Sequence, residues 1–276
     1  MKINYCEEIE IIEMPKTKFE NLFFIDVSIE GQIIPFVFDT GASITVISKS
    51  VSKLIGATPS EDTVVGGGNS NMLVSLSTSV ISTLKIGNTQ IENITVVAVD
   101  DERLDFGVDE NGNNLIVNGF LGWDIIQNFK WTIDGKNKIF TMKKSLNSVN
   151  KKKNLDWDNM PIIEAKFNNK PMFFGFDTGN TESMFSQNFI PFLKTKKVKT
   201  DIITGVDGVV EEEVLVAENI DITIEDQIIS LNDISVLNRD IFPTKKYSVM
   251  GLLAADIIQN CKCILDYPGR YLEITK

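Results

Sequence analysis

Phe36-Val-Phe-Asp-Thr-Gly-Ala-Ser43 decides how this chain is read. An apolar run of strand-forming residues stops at Asp39, turns through Thr40-Gly41 and passes Ala42-Ser43 into a second apolar run, Ile44-Thr-Val-Ile47. A carboxylate inside strand-forming sequence is costly to bury unless it is hydrogen-bonded or shares a proton. Gly41 lets the backbone turn tightly enough for N–H groups to approach the acid. The device occurs twice: Phe173-Phe-Gly-Phe-Asp-Thr-Gly-Asn180 gives Asp177 the same setting. Two such turns, each after an aromatic strand, read as two halves built to bring two acids together.

The repeat extends outward from these turns. Asp177 follows Asp39 by 138 positions, and the same offset sets Ile163 on Ile25, Phe167 on Ile29, Gly205 on Gly67, and Ile222 and Ile224 on Leu84 and Ile86. Further on, Ala255-Asp-Ile-Ile-Gln-Asn260 repeats Trp123-Asp-Ile-Ile-Gln-Asn128 at an offset of 132. The first half therefore holds six extra residues, most simply in the acidic, Gly/Asn-rich stretch 100–114. One ancestral unit of about 130 residues, present twice, accounts for both offsets. The Lys/Asn-rich stretch 143–159 reads as the linker, which predicts domains 1–145 and 146–276.

Within the first unit, residues 1–14 read as an edge strand and 23–38 as a hairpin leading into Asp39. Residues 46–55 fit a short helix ended by Gly56. The triple glycine Gly66-Gly67-Gly68 reads as a hairpin tip, with Gly205 and Val206 at the matching tip of the second unit. A phosphate cradle does not fit, because no Lys-Ser/Thr follows and no helix opens after it. Stretch 100–114 reads as a surface loop, since its glycine is misplaced for a calcium loop. The run 115–122 predicts an apolar strand ending at Gly122. A short helix over 123–129 follows, with Asp124 in its first turn, where the dipole favours an acid. A hairpin closes each unit, over 130–142 and 261–274.

Composition narrows the chemistry. The 276 residues are 43% apolar and 24% charged, which fits a soluble globule. Lys and Arg number 27 against 38 Asp and Glu, a net charge of −11 that argues against a nucleic-acid partner. No apolar run approaches roughly 18 residues, so no membrane span is expected. The first residues show no basic-then-apolar secretory pattern. Three cysteines, Cys6, Cys261 and Cys263, are an odd number and read as free thiols in a reducing cytoplasm. The chain has no histidine, which removes Ser-His-Asp and Cys-His catalysis and every His-ligated metal site. No metal or cofactor is expected.

What remains is carboxylate chemistry. Two aspartates within hydrogen-bond reach cannot both ionise easily, so the pair shares one proton. Such a pair can activate a water against an amide carbonyl while protonating the carbonyl oxygen. Thr40 and Thr178 can bond across the axis, and Gly41 and Gly179 let N–H groups reach the acids.

At these residues the chain resembles the aspartic protease superfamily. Asp39-Thr-Gly-Ala-Ser43, the flap glycines 66–68 and Phe120-Leu121-Gly122 before a short helix are similar to one retropepsin subunit. Two such halves on one chain are similar to the pepsin arrangement. The resemblance covers roughly 17–142 and 157–275 and implies an all-β fold of two pseudo-symmetric barrel lobes with the active site between them. It implies Asp39 and Asp177 as the catalytic pair of an endopeptidase acting on peptide or protein substrates, with a peptide-binding protein as the alternative. Turn-capping aspartates without catalysis are the third reading. Both acids lie on one chain, so a monomer is expected. Ala254 stands where the pattern has glycine, and Asn180 where a Ser, Thr or Ala is usual. Ala42 is retropepsin-like and implies a less acidic pH optimum than in pepsins. Glu211-Glu-Glu213 fits a solvated strand end better than a site for basic side chains.

Overall fold

The protein is described by a computed structural model at all residues except 20, 67–73, 109–111, 113, 146–151, 195–196 and 206–207. Gly67, Gly68 and Val206, and with them both expected hairpin tips, lie outside the described residues.

The fold is all-β, with one large sheet per half, a third shared between them and a separate two-stranded sheet in the first half. In the first half, strands Val46–Ser48, Gly119–Leu121, Gln32–Phe38, Phe24–Ile29, Val74–Ile86 and Thr89–Val99 pair in that order, and the last also pairs with the first. These six strands close into a barrel. In the second half the corresponding sheet stays open, running from the hairpin Val198–Gly205 and Gly208–Ala217 to Gln227–Leu231.

The duplication holds at the level of register. Ile25 faces Phe36, and Ile163 faces Phe174. Val37 lies parallel beside Phe120, and Gly175 beside Leu252. Val46 pairs with Val97, and Met184 with Ser235. The 138 offset persists to Val236, and 132 applies from Gly251. The length difference therefore falls between 98 and 119 of the first half, which contains the acidic stretch.

Five local expectations are corrected here. Stretch 100–114 is not a plain loop: a 3-10 turn at Asp101–Leu104 leads into strand Asp105–Val108, which pairs with Asn114–Ile116. The run 115–121 is two strands, broken where Val117 turns inward and bonds Leu104 O at 2.9 Å. Residues 1–14 supply two edge strands in different sheets, Lys2–Asn4 and Glu10–Glu13. The helix near Val46 begins only at Lys49, because Val46–Ser48 is taken by the sheet, and Ser48 Oγ caps it by accepting Val51 N–H at 3.0 Å. The linker is also shorter than its composition implied, since Leu155–Trp157 forms a strand on Pro161–Phe167.

The shared sheet joins the halves. Its central pair is Phe129–Asp134 against Lys262–Asp266, with Thr132 opposite Ile264. These two residues are equivalents at the 132 offset, so the pseudo-twofold axis passes between them. Beneath lies an aromatic core: the Phe38 ring sits 4.9 Å from both Trp131 and Phe140. Phe36, Phe38, Phe174 and Phe176 are fully buried, each contributing roughly 2–3 kcal/mol. Those four side chains anchor the strands that end at Asp39 and Asp177.

Candidate active site

Each acid leaves its strand beside a parallel neighbour. Asp39 N–H bonds Leu121 O at 3.0 Å, and Asp177 pairs with Ala254. The turn then folds back on the carboxylate. Asp39 Oδ1 accepts the N–H groups of Gly41 at 2.8 Å and Ala42 at 3.0 Å. Asp177 Oδ1 accepts Gly179 N–H at 2.9 Å, and its Oδ2 accepts the Asn180 side-chain amide at 2.7 Å.

The threonines lock the two turns together. Thr40 N–H donates to Thr178 Oγ1 at 3.1 Å and Thr178 N–H donates to Thr40 Oγ1 at 3.0 Å. Each hydroxyl also donates to the opposite strand, Thr40 to Phe176 O at 2.7 Å and Thr178 to Phe38 O at 2.5 Å. Both threonines are 0% exposed, so these bonds are made without competition from water.

The glycines set how closely the turns meet. A Cβ on Gly41 would stand 2.4 Å from Asp177 Cγ, and one on Gly179 would stand 2.4 Å from Asp39 Cγ. Each carboxyl thus packs against the backbone of the other's turn, close enough for the two charges to interact. Burial, then the charge of Asp177, holds Asp39 well above the usual carboxylate range, against the pull of the Ala42 and Gly41 N–H groups. Burial raises Asp177 too, opposed by donors from Gly179 and Asn180.

A second pair of networks, missed in the sequence, braces the turns from behind. Thr45 donates to Asp124 Oδ1 through N–H (3.0 Å) and Oγ1 (2.8 Å), while Gly122 N–H donates to Thr45 Oγ1 at 3.0 Å. In the second half Ser183 donates to Asp256 through N–H (2.9 Å) and Oγ (2.7 Å), while Ala254 N–H donates to Ser183 Oγ at 3.0 Å. Trp123 N–H bonds Ala42 O at 2.7 Å, and Ala255 N–H bonds Asn180 O at 3.1 Å. Ala254 makes the same backbone bond as Gly122, so the alanine leaves the bracing intact. Asp124 is thus a ligand of Thr45, rather than simply an acid on a helix dipole, and burial pushes its carboxyl up to about 6.

The acids face a cleft of about 530 Å³ lined by both halves. Gly66 and Gly205 reach it from the two hairpins, one from each side. Val46, Leu76 and Phe120 make one wall apolar, and Met160, Phe242 and Leu252 the other. Trp157, from the expected linker, also lines the cleft and stacks on buried Trp123 at 5.7 Å and 8°. Glu211 and Glu213 are solvent-exposed, and Glu212 pairs with Arg239 at 2.8 Å. None of these three lines the cleft. Among the described residues no three Cys, Asp or Glu side chains cluster as a metal ion requires, and no helix is long and apolar enough to cross a membrane.

Residues 25–125 match the aspartyl protease family. The crystal structure of an aspartic proteinase from Irpex lacteus is similar over 98% of this chain and 97% of that one, with a TM-score of 0.57. At 11% identity that likeness establishes the fold. No curated protein matches the sequence.

Proposed function

We propose that this chain, whose residues 25–125 match the aspartyl protease family and whose fold is similar to that of an aspartic proteinase, is an aspartic endopeptidase acting through Asp39 and Asp177. The observation that carries the reading is the mutual packing of the two carboxyls at the floor of a cleft open to both hairpins. A water bonded between the acids attacks the scissile carbonyl carbon as the charged acid takes one of its protons. The protonated acid gives its proton to the carbonyl oxygen. The tetrahedral diol then collapses: one carboxyl gives its proton to the amide nitrogen, the other carboxylate takes a proton from a diol hydroxyl, the C–N bond breaks, and a carboxylic acid and an amine leave with the dyad again holding one proton. No covalent intermediate and no metal enters these steps.

A substrate strand lying between the hairpins would bond through its main chain. The apolar walls suit large apolar side chains on both sides of the scissile bond. One chain supplies both acids, so a monomer suffices. Free Cys6, Cys261 and Cys263 suit a reducing compartment such as the cytoplasm. The test is digestion of a peptide library between pH 3 and 8 by the wild type, Asp39→Asn and Asp177→Asn. Cleavage in the wild type and loss in both variants is expected. Cleavage that survives either substitution ends the dyad mechanism, and tight binding without cleavage replaces it with a peptide-binding role.

A further inference from the structure

The two turns share most of their hydrogen bonds and part at the residue after Asp-Thr-Gly, where Ala42 donates its N–H to Asp39 Oδ1 and Asn180 its side-chain amide to Asp177 Oδ2. After its Asp-Thr-Gly, the first turn presents the methyl of Ala42. The second presents the amide of Asn180, whose Nδ2 donates to Asp177 Oδ2 at 2.7 Å. An amide NH2 donates and cannot accept. The oxygen facing it must be bare, because a proton there would set two donors head to head. A serine hydroxyl would impose no such direction, since it rotates to donate or accept. On Asp39 the Gly41 and Ala42 N–H groups converge on Oδ1 and no donor of that turn reaches Oδ2, which is left to carry a proton, whereas Asp177 has a donor on each of its oxygens.

We propose that Asn180 is a positioning residue that gives the dyad a direction, holding Asp177 as the carboxylate and leaving the shared proton on Asp39. Its catalytic consequence rests on the endopeptidase reading. Asp177 then takes the proton from the attacking water, Asp39 gives its own to the carbonyl oxygen, and the two acids exchange protonation states in the addition step. Charge elsewhere does not set this order. Among the described cleft-lining residues Asp39 and Asp177 are the only ionisable side chains. Asp124 and Asp256 lie behind the turns with their oxygens taken by Thr45 and Ser183.

The experiment is a carbon-13 carboxyl titration of the full-length protein, labelled at aspartate, for wild type, Asn180→Ala, Asn180→Ser and Ala42→Asn. It needs no turnover. Asp177 should ionise first in the wild type. Asn180→Ala should move that first ionisation up by about one pH unit, the scale of one hydrogen bond to a charged group. Asn180→Ser should recover only part of the shift, because a hydroxyl donates to the carboxylate but also accepts from the protonated acid, and Ala42→Asn should lower the ionisation of Asp39. Where peptides are cleaved, the acidic limb of kcat/KM should move upward with Asn180→Ala by the same amount. Asp39 ionising first would mean that the Asn180 amide is turned over, and this would overturn the proposal. So would an Asn180→Ala titration that matches the wild type. Ionisation in the expected order with no cleavage of any peptide would sink the endopeptidase reading and leave the assignment standing.

Discussion

Replacing Asp124 by asparagine should stabilise the protein near neutral pH and do little in acid. Asp124 Oδ1 alone accepts both Thr45 donors, so an asparagine carbonyl oxygen in the same place keeps both bonds. What is lost is a buried charge. Burial raises the Asp124 carboxyl from 3.8 to about 6. The folded state therefore binds this proton more tightly than the unfolded chain does. Its contribution is fully present below about pH 4 and is lost as pH rises through about 6. Moving the carboxyl from 3.8 to about 6 corresponds to roughly 3 kcal/mol, and partial exposure of the residue cuts that to about half. Asp124→Asn should then gain about 1–2 kcal/mol over the wild type at pH 7.5 and converge with it at pH 4. Asp256→Asn is the control. Its two oxygens accept from Ser183 N–H and Oγ separately, so an amide must turn its NH2 toward one of them. The broken bond costs about 1–3 kcal/mol and offsets the relief of charge. Urea unfolding followed by far-ultraviolet circular dichroism from pH 4 to 8 measures the difference. An Asp124→Asn protein less stable than the wild type at pH 7.5, or a difference independent of pH, would refute the argument.

Three further outcomes follow from the geometry. Thr40→Val strips partners from the Thr178 N–H and the Phe176 carbonyl, both enclosed, and should cost about 2–5 kcal/mol in urea unfolding, with Thr40→Ser close to wild type. Gly179→Ala would place a Cβ 2.4 Å from Asp39 Cγ, so one acid must move; peptide cleavage should fall about 100-fold while far-ultraviolet dichroism stays unchanged. Trp157→Ala removes a cleft wall and the stack on Trp123, and should lower the melting temperature and raise KM more than it lowers kcat. A kcat loss with unchanged KM would place Trp157 away from the substrate.

The pairing register was legible because it depends on side-chain alternation. The offset read from Asp39 and Asp177 places Phe24–Ile29 and Pro161–Phe167 on their partners with the same one-to-one pairing. The bracing of the turns was harder to read, although its residues repeat: Thr45 and Ser183 each follow their aspartate by six positions. Their acceptors lie 79 and 73 residues away, and a polar residue in a short helix gives no hint of so distant a partner. Trp157 was hidden for another reason. Composition averages over a window, and one aromatic among lysines and asparagines leaves the window polar while the side chain itself is half-buried against the cleft.

The asymmetry at Ala42 and Asn180 depends on the duplication itself. In a symmetric pair of identical subunits the residue after each Asp-Thr-Gly would be the same, and no side chain could distinguish the two acids. A single chain with two copies escapes that constraint. Here the copies keep the threonine exchange and a brace on each turn, Thr45–Asp124 in one and Ser183–Asp256 in the other. They differ where a side chain reaches the carboxylate, as they must if the acids are to hold unlike protonation states with the frame around them still matched.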